Sequence, residues 1–230
     1  MAVFSNSQKM IEERQYLRAG DVEISERAYN LIIGAVLFWG FALNYLMVTL
    51  FGQQITAMVA NMGLLPFLIG YFALVIIGSI MIGKGSAVMS FIGYNLIALP
   101  VGVVVCTCVE GIPVSTVQTA VLVTAIVTLS FMILATVAPG FFLSLGRMLG
   151  FSLLATLVAE LVTVFIFHRY SGVYEWIFTV IFSLYIGYDW ARANSCARTV
   201  DNAVDMAASL YLDIINLFLR ILEIMSRKKD

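Results

Sequence analysis

Between Ala28 and Val109 this chain carries one charged residue, Lys84, and between Gly111 and Gly146 it carries none. Soluble domains keep about a quarter of their residues charged, so stretches this bare must lie in lipid or inside protein. Composition agrees, with 61% of the residues hydrophobic and 12% charged. Runs of about 20 apolar residues have the length of a helix that crosses the hydrocarbon core of a bilayer. The expected fold class is all-α: a polytopic membrane protein.

Reading for such runs gives seven transmembrane helices, approximately residues 28–51, 64–82, 87–109, 114–137, 141–167, 173–193 and 203–224. The segments "FGQQ", "NMGLLP", "GKGS", "EGIP", "APG", "HRYSG" and "NSCARTVDN" interrupt them with polar residues, glycine or proline. Residues 1–27 are polar and lack the apolar core of a secretory signal peptide, so they read as a tail. Residues 28–225 form a single membrane domain and 226–230 a short basic tail. The loops leave no room for a soluble catalytic domain.

Basic residues orient the chain. Lys9, Arg14, Arg18, Arg27, Lys84, Arg147, Arg192 and Arg198 fall on the side of the N-terminus. The first two loops on the other side carry no Lys or Arg, and the third carries only Arg169. The positive-inside rule then places the N-terminus in the cytoplasm. Arg227, Lys228 and Lys229 oppose this for a chain of seven crossings. Either the last helix crosses against the rule, or it re-enters and returns the tail to the cytoplasm.

The segment "SLYLDIINLFLRIL" sets an acid, Asp213, among apolar residues. Asp205, Ser209, Asp213, Asn216, Arg220 and Glu223 follow spacings of 4, 4, 3, 4 and 3, which confines them to an arc of about 80° on a helix. Tyr185, Asp189 and Arg192 make a second stripe on the sixth helix, and Ser152, Thr156, Glu160 and Thr163 a third on the fifth. Lipid penalises all three, so they are expected to face one another across a bundle interior or a wet cavity.

Each stripe also has a structural reading. Ser and Thr on membrane helices commonly serve as interhelical glue, and Arg192, Arg198 and Arg220 suit interfacial anchors or counter-ions. An acid near mid-helix, with a second acid brought close by a short loop, points instead to function. Glu160 stands between the two readings. Cys106 and Cys108 read as small apolar fillers, because a metal site would want further thiols or imidazoles and His168 belongs to a different loop. "GKGS" lacks the opening glycine of a phosphate-binding loop. No enzymatic activity is expected.

Three segments, "AASLYLDIINLFLRIL", "FSLYIGYDWARA" and "GYNLIALPVG", carry a resemblance to the Bax inhibitor family of seven-helix membrane proteins. That resemblance implies a C-terminal helix at the centre of a bundle of six others, and two aspartates acting as a pH sensor for a calcium leak. The acid of the "YD" pair is Asp189, preceded by Tyr188, and that of "LYLD" is Asp213. Asp205, Glu160, Asn216 and Arg220 are supporting candidates. Some bacterial members resembling this chain use an arginine on the second helix as a latch to the acids, whereas Lys84 is the only basic residue on or beside that helix here. Trp190 also stands where the family commonly has a small or polar residue.

Physical chemistry supports the same two acids. Neighbouring carboxylates in a low-dielectric setting cannot both ionise cheaply, so they share a proton and titrate as a unit. A divalent cation competes for the same oxygens, and hard oxygen ligands suit calcium. Asp189 and Asp213 alone would make a weak, fast-releasing calcium site, as a leak requires, with calcium and protons as cargo and no cofactor. An intramembrane aspartyl protease would want Gly-x-Gly-Asp in place of "LYLD", and a retinal protein would want a lysine within a helix. A proton-coupled transporter and a non-transporting regulator that binds a membrane protease or another membrane partner stay open. The expected setting is a lipid bilayer, weakly indicated as a bacterial plasma membrane, with no nucleic-acid partner.

Overall fold

The structure, a computed structural model, describes residues 17, 21–82, 86–168 and 171–227. Lys84, most of the polar N-terminal tail and the last three residues lie outside them. The described residues form eight helices: α1 (Glu26–Met62), α2 (Leu64–Met81), α3 (Ala87–Val109), α4 (Val114–Val137), α5 (Pro139–Ser144), α6 (Gly146–Phe165), α7 (Val173–Ser195) and α8 (Val200–Arg227). Five of them, α1, α2, α3, α4 and α6, are long and apolar enough to cross a membrane. The remaining long helices, α7 and α8, carry the charged stripes.

Two boundaries differ from the sequence expectation. The first helix runs through "FGQQ" and reaches Met62, giving 37 residues, because glutamine is a good helix former and one glycine costs only about 1 kcal/mol. It stops at Gly63, whose φ of 82° suits a residue without a side chain and whose N–H reaches the Val59 carbonyl. The run expected over 141–167 is broken in two, because the helix begun by Pro139 ends at Ser144 and a new one starts at Gly146.

The chain divides into two compact units. The first comprises α1, α2, α3 and Ala193–Ser209. Here α2 and α3 meet almost backbone to backbone: a Cβ on Gly78 would stand 2.6 Å from the Gly93 carbonyl oxygen, and one on Gly93 equally close to that of Gly78. Small residues allow such approach in membrane helices. The Tyr94 hydroxyl donates to the Val36 carbonyl at 3.0 Å and the Trp39 indole N–H to Asn95 at 3.0 Å, tying α3 to α1. Thr199 caps α8 by accepting from the Asn202 N–H at 3.1 Å. Ser90 donates to Asp201 at 2.8 Å, and Arg198 pairs with Glu26 at 3.1 Å.

The second unit comprises Gly111–Arg192 and the chain from Leu210 on. Its apolar centre gathers Ala135, Phe142, Leu145, Leu149 and Ala191. The Trp190 indole N–H donates to the Thr136 hydroxyl at 2.9 Å, linking α7 to α4. Gly187 lets α7 approach α5, since a Cβ there would run into the Phe142 ring.

Candidate functional site

The site is built on α8. Leu210, Tyr211, Leu217 and Leu222 are buried along it, and its polar residues occupy the remaining stripe. Within the second unit that stripe meets partners from α6 and α7 at two levels.

The first level holds the expected acids. Asp189 and Asp213 are both buried. Asp189 is the charged group that acts most strongly on Asp213, by like-charge repulsion and as a side-chain hydrogen-bond neighbour, and Arg192 acts on it next. The Arg192 guanidinium stands 3.4 Å from Asp189 Oδ1 and 5.7 Å from the centre of the Tyr188 ring. Tyr185 faces both acids and Tyr188. Oδ2 of Asp213 is buried without a hydrogen-bond partner. α7 continues to Ser195, six residues past Asp189. Gly146 makes room for the Tyr188 ring, because a Cβ at that position would lie 2.7 Å from Tyr188 Cε2.

Two turns further along α8 lies a second level. Arg220 contacts Glu175 at 3.0 Å and Glu160 at 3.8 Å, and its guanidinium lies 4.2 Å from the centre of the Phe178 ring. Glu223 faces Glu160 and pairs with Arg227 at 2.9 Å. One side chain thus joins α6, α7 and α8. An aromatic ladder on α7 spans the two levels: Phe178 stacks on Phe182 at 6.3 Å, Phe182 lies 6.5 Å from Tyr185, and Tyr185 meets Tyr188 edge-on at 6.4 Å.

The remaining candidates scatter. Asn216 spends its amide on the Leu212 carbonyl at 2.8 Å, on its own helix. Asp205 is buried in the first unit, where Ser209 donates to its carbonyl at 3.4 Å. Lys84 is outside the described residues. Cys106 is buried and Cys108 exposed.

Glu175 had no place among the sequence candidates, although it is almost wholly buried, at 1% exposure. An acid in the first turn of a helix reads as a complement to the helix dipole. The signal was its spacing: Glu175, Phe178, Phe182, Tyr185, Asp189 and Arg192 are separated by 3, 4, 3, 4 and 3, which puts Glu175 on the stripe of Asp189.

Among the described residues no group of three or more His, Cys, Asp or Glu could hold a metal ion. Two carboxylates beside a guanidinium fall short of the six to eight oxygens a resident calcium ion takes.

Helices rich in exposed apolar residues, with Glu175, Asp189 and Asp213 buried on two of the others, define an integral membrane protein. The family model described as inhibitor of apoptosis-promoting Bax1 matches residues 22–230, nearly the whole chain, and the protein belongs to that Bax inhibitor family. Two proteins from two strains of Helicobacter pylori, both described only as uncharacterized, are each 34% identical to it over 88 residues. The match covers 38% of this chain and 37% of each relative.

Proposed function

We propose that the protein is a calcium leak pathway of a bacterial plasma membrane, opened and closed by protons shared between Asp189 and Asp213. In this reading α7 and α8 also cross the bilayer, bringing the spans to seven, with α8 at the centre and the N-terminus in the cytoplasm. The observation that carries it is the buried adjacency of two acids in a lipid-embedded chain. Such a pair is a poor structural device, since like charges repel and one oxygen lacks a partner, and intramembrane acids are kept for ions and protons. Arg192 lowers the cost of one negative charge, and a proton or a passing cation offsets the other. Calcium suits these hard oxygens and, with so few ligands, is released quickly.

The test is ion flux from liposomes containing the purified protein, followed from about pH 5 to 8, above the range in which isolated carboxylates titrate, with calcium and sodium compared. Calcium flux should depend on pH in the wild type. Asp213→Asn and Asp189→Asn should each lose most of that dependence, and the double variant should add little because coupled groups are not additive. A folded Asp213→Asn variant with the wild-type profile would refute the two-aspartate sensor and favour a regulator that binds a membrane partner.

A further inference from the structure

We propose that Tyr188 is a positioning residue for the acid pair: seated in a glycine notch on α6, its ring holds the Arg192 guanidinium against Asp189 and so loosens the pair's hold on a passing calcium ion. The positioning stands on contacts within the second unit, and its effect on calcium rests on the leak reading above. α6 offers Gly146 and Gly150, four residues apart and so on one face, and α7 meets them with Tyr188 and Tyr185, three apart. A Cβ on Gly146 would lie 2.7 Å from Tyr188 Cε2 and 2.8 Å from its hydroxyl oxygen, and one on Gly150 would lie 3.8 Å from the Tyr185 hydroxyl. Tyr185 in turn meets the Tyr188 ring edge-on at 6.4 Å. A tyrosine turns about only two side-chain bonds, so a ring held at its phenol end and flanked by a second ring has little freedom left.

Arg192 follows Tyr188 by four residues and Asp189 by three, so it can reach both along its own helix. Its guanidinium stands 5.7 Å from the centre of the Tyr188 ring, within cation–π reach, and 3.4 Å from Asp189 Oδ1. A long side chain gives up rotamer freedom to hold one ion-pair geometry, and a fixed ring that favours the same rotamer offsets that cost. Arg192 and Tyr185 face the acids from α7, with Tyr188 beside both, and α6 brings only glycine to these contacts.

With Arg192 docked, one guanidinium offsets one carboxylate, and a calcium ion arriving at the ionised pair meets a single net negative charge. Attraction scales with that charge, so a docked Arg192 keeps the site weak and its release fast. Losing the ring lets Arg192 leave Asp189 more of the time. A cation–π contact gives about a two- to five-fold bias toward the docked geometry, and without it calcium should bind tighter by about that factor. A ring that only filled space would, when removed, loosen the packing and leave the hold on calcium where it was.

Melting midpoints, measured with a chelator present, give the coupling between positions 189 and 192 from the cycle of wild type, D189N, R192Q and D189N/R192Q. That coupling should persist in a Y188F background, which keeps the ring, and be largely lost in a Y188L background. An undiminished coupling in Y188L, or an equal loss in Y188F, overturns the positioning. Where Y188L does not fold, G146A, which pushes the ring out of its notch, gives the same readout. Calcium flux from liposomes is the second measurement. Y188L should lower the half-saturating calcium concentration by about two- to five-fold together with the maximal rate, and Y188F should stay near wild type. A half-saturating concentration in Y188L at or above the wild-type value overturns the calcium effect. A wild type that passes no calcium overturns the leak reading and the calcium effect with it, while the coupling decides the positioning on its own.

Discussion

Replacing Asp213 with asparagine should make this protein more stable. Oδ2 of Asp213 is buried with no hydrogen-bond partner, and an orphaned buried acceptor costs about 1–3 kcal/mol. Its dominant charged neighbour is another acid, Asp189. The single guanidinium nearby, Arg192, is 3.4 Å from Asp189 and must serve both. Asparagine keeps the shape, loses the charge and can turn its amide toward Asp189, converting repulsion into a hydrogen bond to a charged acceptor worth about 1.5–3 kcal/mol. Proton sharing in the wild type already recovers part of this, so the net gain is about 1–3 kcal/mol. For a chain of this size each kcal/mol moves the midpoint by about 2–4 °C, which gives a rise of roughly 2–12 °C.

The assay is thermal unfolding of detergent-solubilised protein near neutral pH, followed by circular dichroism with a chelator present. Asp213→Leu should gain less, because it removes the orphaned oxygen but gives Asp189 no donor. An Asp213→Asn midpoint at or below the wild-type value would refute the reasoning. It would mean that the two acids are not strained against one another, and the argument for a shared proton would lose its physical basis.

Arg220→Leu should destabilise by about 3 kcal/mol, the low end for breaking a buried ion pair, because the arginine is partly accessible; adding Glu175→Leu should restore most of it in the same melt. Gly78→Leu should cost at least about 1–3 kcal/mol, since its Cβ would stand 2.6 Å from the Gly93 carbonyl oxygen and 2.8 Å from Ile97 Cγ1, and a backbone atom cannot swing aside. Gly187→Ala should lower the melting midpoint through its clash with the Phe142 ring. Phe142→Leu should relieve it, a coupling that a double-mutant cycle measures.

Sequence resolved those elements whose ends carry local chemistry. The helices expected over 87–109 and 114–137 have those bounds in the structure, where "EGIP" and "APG" put glycine or proline at the helix ends. The end of α1 was misplaced because polarity was taken for a break, whereas Gln53 and Gln54 sit comfortably in a helix. The break between α5 and α6 had no local signal. Leu145 is a good helix former, yet the chain turns there, in a region where Phe142 fills the space beside Gly187 and Tyr188 that beside Gly146. Such a break is decided by tertiary packing, which periodicity does not encode. At the site, Asp189, Asp213 and the counter-ion Arg192 were legible because charge in an apolar run is conspicuous. Glu175 was not, because a helix start gives an acid an innocent reason to be there.

The two charged levels have a common imbalance. Asp189 and Asp213 face Arg192, and Glu160, Glu175 and Glu223 face Arg220 and Arg227. Among these groups each level has one more carboxylate than guanidinium. A stripe evolved only to hold helices together would gain nothing from an unbalanced acid, since neutral hydrogen-bonding residues join membrane helices at lower cost. An unbalanced level instead reaches its lowest free energy when a proton or a cation supplies the missing charge. On the proposed reading, the polar stripe along α8 is also what lets its two levels respond to protons and cations. Fold and proposed activity draw on the same residues, and a substitution that balances a level should strengthen the one as it weakens the other.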